Sequence, residues 1–149
     1  MRGKAVPLLV DDESGRSYTL EDVRARVDAL SLGLACAPEL GLQTNNGSER
    51  PVICLFSPNT TDYLSTILAV HRLGGIITPA NPSLGIAELT HQLKMCRVQV
   101  LIVVDAQPAR EVGLSAARAA ELGRERVVLL QLGAAERALK VGGHWTVSA

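Results

Sequence analysis

Apolar residues in this chain follow two rhythms. The first is the short run with no polar alternation: Val52-Ile53-Cys54-Leu55-Phe56, then Ile76-Ile77 ending in Thr78, then Val98 to Val104 with Gln99 near its start, then Val127 to Leu130. A strand with one face in water alternates apolar and polar residues. An unbroken run therefore predicts a strand covered on both faces, the habit of parallel sheets. The second rhythm steps by three and four. Leu20, Val23, Val27, Leu30 and Leu34 form one such seam, and Tyr63, Leu64, Ile67, Leu68 and His71 form another. Ile86, Leu89, Leu93 and Cys96 form a third, and an alanine-rich stretch from Ala109 to Leu122 completes the set. Each predicts an amphipathic helix with the named residues turned inward. Arg24, Arg26 and Asp28 fall off the first seam and are predicted to be wet.

The breaks between these segments are chemically apt. Thr19 precedes Glu21 and Asp22, which suits a capped helix start where the helix dipole favours carboxylates. Ser57-Pro58-Asn59 ends a strand and offers oxygens to cap a helix, with Thr60 as the first helical position. Gly74-Gly75 stops that helix, because glycine tolerates the left-handed cap conformation. Pro79 to Pro82 closes the next strand, Ser83 or Gly85 starts a helix, and Pro108 suits the first turn of another that Gly123 stops. Before Thr19, Leu8-Leu9-Val10 and Arg16-Ser17-Tyr18 flank a polar turn and read as an edge hairpin.

The order β-α-β-α-β-α-β predicts an α/β fold: a three-layer open, mostly parallel sheet of about four parallel strands, helices on both faces and an N-terminal β-hairpin. Its crossovers should be right-handed. The chain reads as one domain, 1–149, with the hairpin in 1–19, the β/α core in 20–131 and a divergent tail in 132–149. In that tail Gly133 to Lys140 suits a short helix, which Gly142-Gly143 breaks. His144 to Val147 suits either a strand or a cover for exposed core.

Composition narrows the partners. Fifteen acidic and fifteen basic side chains cancel, and no basic block interleaved with aromatics argues for nucleic acid. The three cysteines, Cys36, Cys54 and Cys96, form no Cys-x-x-Cys pair, so neither a zinc site nor a disulfide framework is indicated and no metal is expected. Free thiols fit a reducing, cytoplasmic setting. No signal peptide is apparent at Met1, and no apolar run is long enough to span a bilayer. The terminal Val147-Ser148-Ala149 is not a peroxisomal address.

The stretch VICLFSPNTTDYLSTILAVHRLGGIITPANPSLGIAELTHQLKMCRVQVLIV, Val52 to Val103, resembles the N-terminal region of adenylate-forming acyl-CoA synthetases of the 4-coumarate–CoA ligase type. In that family a strand ending in a Pro-Asn turn leads into a helix closed by Leu-Gly-Gly. A strand ending in Asn-Pro and a Glu-Leu helix follow. GRSYTLEDVRARVDALSLGLA, Gly15 to Ala35, matches the preceding helix, and the resemblance spans roughly Leu8 to Leu130.

What the resemblance implies about chemistry is mostly negative. The family holds ATP phosphates on a Ser/Thr- and Gly-rich loop ending in Pro-Lys-Gly, where backbone N–H groups meet the anion. No stretch here matches that loop. The glycine pairs Gly74-Gly75 and Gly142-Gly143 lack its Ser/Thr/Lys context. The family's ribose- and magnesium-holding acids, its C-terminal lysine and most of its acyl pocket also lie farther along, so no catalytic residue carries over and no cofactor is expected. The sequence then reads as an acyl-CoA synthetase-like protein, truncated before the ATP-binding loop, that does not adenylate or ligate CoA by itself.

Among the residues present, two are catalytic candidates. His71 lies on the apolar side of its helix, four after Ile67 and seven after Leu64, and there a hydrogen-bonded core histidine competes with an acid/base role. Asp105 follows a buried strand and suits either a helix cap or a ligand. In open α/β sheets ligands bind beyond the carboxyl ends of the strands. Here those ends carry Ser57 and Asn59, Thr78 and Asn81, Asp105 and Gln131; caps and turns compete with a ligand site at each. His91 shares a face with Glu88 and Lys94 and reads as solvated; His144 has no spacing partner.

Two alternatives of other classes stand beside the inactive fragment. One is a repurposed small-molecule-binding protein, or a cofactor-free cyclase or isomerase of secondary metabolism, accelerating an intramolecular step by holding one reactive conformer. The other is an interaction subunit, a homo-oligomer or a partner's complement, using Leu- and Val-bearing surface left exposed.

Overall fold

The computed structural model describes residues 6–42, 50–132, 139–141 and 144–146, the last two segments by backbone alone. Strands β1 (Leu9–Val10) and β2 (Ser17–Tyr18) pair antiparallel, as the polar turn between them predicts. Thr19 then caps α1 (Leu20–Ala35). Its Oγ1 accepts the Asp22 N–H at 3.2 Å, and the Asp22 carboxylate accepts the Thr19 N–H at 2.7 Å, so two backbone donors at the helix start are satisfied reciprocally.

The core alternates strictly. Strand β3 (Val52–Phe56) pairs in parallel with β4 (Ile76–Ala80) on one side and β5 (Val100–Val104) on the other, and β5 pairs in parallel with β6 (Val127–Leu130). Helices α2 (Thr61–Arg72), α3 (Ile86–Met95) and α4 (Ala109–Ala119) make the crossovers. Ile53, Leu55, Val100, Ile102, Val128 and Leu130 pack into one cluster with Val23, Val27, Leu30 and Leu34 of α1 and with Ala69 and Val70 of α2. Cys54, Phe56, Leu101, Val103, Val127 and Leu129 pack into a second, with Leu89 and Leu93 of α3 and Ala116 and Ala117 of α4. Alternate residues of β3, β5 and β6 thus serve opposite helical layers, which is why these three strands carry no polar residue.

The strand order is β4-β3-β5-β6-β7-β8, with two antiparallel strands, β7 (Leu139–Val141) and β8 (His144–Thr146), added beyond the parallel four. Of the two readings of His144 to Val147, a strand or a cover for exposed core, His144–Thr146 takes the strand. The helix expected over Gly133 to Lys140 is corrected at its end: Leu139 and Lys140 are in β7, paired with β6, while positions 133–138 lie outside the described residues. The open edge of β6 supplies the reason, since a ladder partner satisfies more backbone groups than an unpacked helical turn.

Three helical seams also differ from expectation. On α2 the buried residues are Asp62, Ser65, Thr66, Ala69 and Val70; Tyr63 and Ile67 are half-buried, and Leu64, Leu68 and His71 are exposed. Small residues let α2 lie close to α1 and the sheet. Their hydroxyls are satisfied within the helix, Thr66 Oγ1 donating to Asp62 O at 2.7 Å. On α3 only Leu89 and Leu93 are buried, while Ile86 and Cys96 are exposed, and on α1 Leu20 is exposed. The glycine pair behaves as read. Gly74 has φ +76°, and a Cβ on Gly75 would stand 2.9 Å from both Ile53 Cδ1 and Val70 Cγ1, so the turn into β4 needs glycine twice.

Candidate functional site

The strand order places a crevice. From β3 the chain moves one way to β4, then crosses back over β3 to β5, so α2 leaves on one face and α4 on the other. The carboxyl ends of β3 and β5 flank that reversal, where open α/β sheets take ligands. Ser57 and Asn59 lie on the β3 loop and Asp105 directly follows β5, so the fold brings these three to one edge. Thr78 lies inside β4 and Asn81 just past it, on the far side of β3. His71 is in the last turn of α2, and a crossover helix runs against its strands, so His71 sits at the opposite end of the sheet from Asp105. The two residues do not form a pair.

The local duties of these groups are visible. Ser57 is buried and its Oγ donates to Pro58 O at 3.1 Å. The N-cap of α2 is Thr60, and no side chain caps it. Thr78 Oγ1 accepts from Gln92 Nε2 at 3.3 Å, and Asn81 Oδ1 accepts the Ser83 N–H at 2.9 Å in a local turn. Asp105 caps nothing: its Oδ1 lies 3.1 Å from Arg110 Nη1, in an ion pair without hydrogen-bond alignment. Cys54, under α3, is a thiol whose pKa burial pushes up to about 12, with Cys96 adding to the effect.

Sequence reasoning passed over a second concavity. A cleft of 280 Å³ lies between the β1–β2 hairpin and the first turns of α1 and α2. Leu9, Val23, Ala25 and Ala29 give it an apolar lining. Asp62 and Arg26 form one wall, Arg26 Nε donating to Asp62 Oδ1 at 2.6 Å with side chains 15% and 8% exposed, respectively. Arg26 Nη2 also reaches Gln131 O at 3.3 Å, joining α1, α2 and the end of β6. The expectation that Arg26 is wet is therefore corrected; its partner stands 36 positions away, beyond any helical periodicity. Arg16 lies over the Tyr18 ring at 5.8 Å, and both line the cleft. Asp22 lines it as well, its carboxyl held below the usual range by the Thr19 backbone N–H and then by the Thr19 hydroxyl. No group of three or more His, Cys, Asp or Glu side chains among the described residues can hold a metal ion.

With the fold in view, the model of the AMP-binding enzyme family matches residues 2–143. The chain belongs to that family. Acyl-CoA ligase easD of Emericella nidulans is 36% identical over 108 residues, 68% of this chain and 19% of the ligase. Acyl-CoA ligase cm3C of Cordyceps militaris is 31% identical over 137 residues, 83% of this chain and 21% of the ligase. The chain therefore spans about a fifth of the length of these relatives. Among solved structures, the luciferase-like enzyme from the nonluminescent Zophobas morio mealworm superposes with a TM-score of 0.67 at 20% identity, over 84% of this chain and 27% of that one. The resemblance to the N-terminal region of adenylate-forming enzymes is thus a family membership, and the α/β sheet is the family's. No helix among the described residues is long and apolar enough to cross a membrane.

Proposed function

We propose that this chain is a non-adenylating α/β module of an acyl-CoA ligase-like protein, supplying scaffold rather than nucleotide chemistry. One observation carries the reading: the family match extends over 2–143, yet no Ser/Thr- and Gly-rich stretch ending in Pro-Lys-Gly occurs along it. Without that run of backbone donors a triphosphate has no cradle. The test is ATP–pyrophosphate exchange on the purified chain with a panel of carboxylic acids and magnesium. Background exchange is the expected result, and exchange that depends on one acid overturns the reading.

A second role is compatible with the first. Leu32 of α1 and Leu64 and Leu68 of α2 are exposed, and the Asp28–Arg72 ion pair, one helical turn from Leu32 and Leu68, ties the two helices beside them. This outer face favours association with a partner chain or a second copy, in a reducing cytoplasmic setting that suits the three free cysteines. Light scattering across a concentration series tests it. A strictly monomeric species in isolation and with candidate partners removes the role. A cyclase or isomerase of secondary metabolism gains no support from the crevice, because His71 and Asp105 stand at opposite ends of the sheet.

A further inference from the structure

We propose that Cys96 and Cys54 form a thiol–disulfide exchange site under the C-terminal end of α3. The exposed thiol captures a low-molecular-weight disulfide, and the buried thiol resolves it into a bond between β3 and α3.

Thr78 of β4 is the neighbour the two thiols share. It is the ladder partner of Cys54, and adjacent strands lie about 4.8 Å apart with paired side chains on one face. That face is the one α3 covers. Cys54 packs there with Leu89 and Leu93, and Thr78 Oγ1 accepts from Gln92 Nε2 at 3.3 Å. The same hydroxyl donates to Sγ of Cys96, the C-cap of α3, at 3.8 Å. Cys36 caps α1 in the opposite layer and has no part in the pair.

Exposure divides the roles. Cys96 is exposed and Cys54 buried, so a disulfide from solution meets Cys96 first. Burial, with Cys96 adding to it, pushes the Cys54 thiol up to about 12, so an alkylating reagent that caps Cys96 goes no further. A disulfide does. The Cys96 thiolate attacks one sulfur of glutathione disulfide, that S–S bond breaks, and one glutathione leaves with its electron pair. Cys54 then gives its proton to the departed thiolate and attacks Cys96 Sγ, and the second glutathione leaves and takes a proton from water. Both protein thiols are oxidised and the glutathione disulfide is reduced to two glutathiones. The high pKa of Cys54 slows the second step, and its closeness inside the fold offsets this.

Closing the bond draws the last turn of α3 toward β3. That end is lightly held. Met95 is 70% exposed, and Arg97, just past the cap, is a non-glycine residue at φ +51°. In a reducing setting such a bond is transient and responds to the thiol pool rather than stapling the fold.

The experiment treats the Cys36→Ser chain, which keeps only this pair, with glutathione disulfide. The products are alkylated in denaturant, digested and read by mass spectrometry. The expected product carries no glutathione and no alkyl group, and a digest peptide joins Cys54 to Cys96. In the same background Cys54→Ala should stop at a stable glutathione adduct on Cys96; if that variant does not fold, Cys54→Val serves. Cys96→Ser should leave Cys54 reduced until the chain unfolds. Amide chemical shifts should move at Thr78, Gln92 and Arg97 on oxidation and return on adding a dithiol reductant. A glutathione adduct that persists on Cys96 while Cys54 stays free, disulfides only between chains, or oxidation of Cys54 in the folded Cys96→Ser chain each overturns the proposal.

Discussion

Two ion pairs join α1 to α2, and they sit in opposite worlds. Arg26–Asp62 lies under the hairpin with its carboxylate side chain 8% exposed, tied through Arg26 Nη2 to the end of β6. Asp28–Arg72 lies on the outer face with side chains 61% and 58% exposed. Both look alike in sequence: an acid and an arginine on two helices, off the apolar seams. Their energetics differ because desolvation decides what an unpaired partner costs. In water a stranded charge is rehydrated; under the hairpin it has only its neighbours.

The largest effect expected from breaking this comparison is at the buried pair. Arg26→Met leaves the Asp62 carboxylate buried without its main partner, and a loss of about 3–5 kcal/mol is expected in urea unfolding. The double variant Arg26→Met/Asp62→Leu removes both charges and should recover most of that loss, since a well-packed apolar pair is often as stable as a buried ionic one. If the double variant is as unstable as the single, the pair contributes by a route other than desolvation. Thermal melts and chemical denaturation should agree on the order.

An intermediate effect is expected where the hairpin hands over to α1. Thr19→Ala removes the side-chain half of a reciprocal cap, and about 1 kcal/mol is expected. Asp22 adds a pH signature. Its folded pKa is depressed, so its contribution is present above the unfolded value of 3.8 and is lost as pH falls through the lower folded value. Helical signal at α1 should therefore decline in acid below that range, and Asp22→Asn should flatten the decline.

How much of this was legible beforehand follows from the same contrast. The parallel strands were readable because a strand buried on both faces needs apolar residues at every position, and Val52–Phe56 and Val100–Val104 supply them. The cap at Thr19 was readable because its partners lie three residues apart. The inward face of α2 was not. It is made of Asp62, Ser65, Thr66 and Ala69, whose burial rests on close approach and on bonds such as Thr66 to Asp62 O, while Leu64 and Leu68 face outward. A rule that sends the largest apolar residues inward turns that helix by the wrong angle and carries His71 with it. Of the candidate site, the sheet edge with Ser57, Asn59 and Asp105 follows from the β-α order alone. The cleft does not, because Arg16, Arg26 and Asp62 come from three elements and meet only in the folded chain.

A smaller effect separates the thiols. Cys36 and Cys96 are exposed, whereas Cys54 is buried mid-strand with its pKa near 12. The native chain should react with a thiol reagent at two positions at neutral pH and at three in denaturant, with the third appearing at the rate of unfolding. A raised pKa also gives the reverse sign to that of Asp22: the contribution of the neutral thiol is full below the unfolded value of 9.0 and is lost as pH climbs toward 12.

The smallest effect is at the exposed pair, and it is the sharpest test of the contrast. Asp28→Asn and Arg72→Gln should each change stability by no more than about 0.5–1 kcal/mol, and the coupling from the double-mutant cycle should fade in high salt, because both partners are in water and each regains hydration when the other is removed. The coupling at Arg26–Asp62 should hold under the same salt, since a pair so little exposed is weakly screened. Were the outer pair to show a coupling of several kcal/mol that resists salt, the face carrying Leu32, Leu64 and Leu68 would have to be covered in solution. The neighbouring leucines would then be interface residues rather than exposed ones. A salt-insensitive coupling at Asp28–Arg72 that appears only at high protein concentration would therefore report association through this face directly.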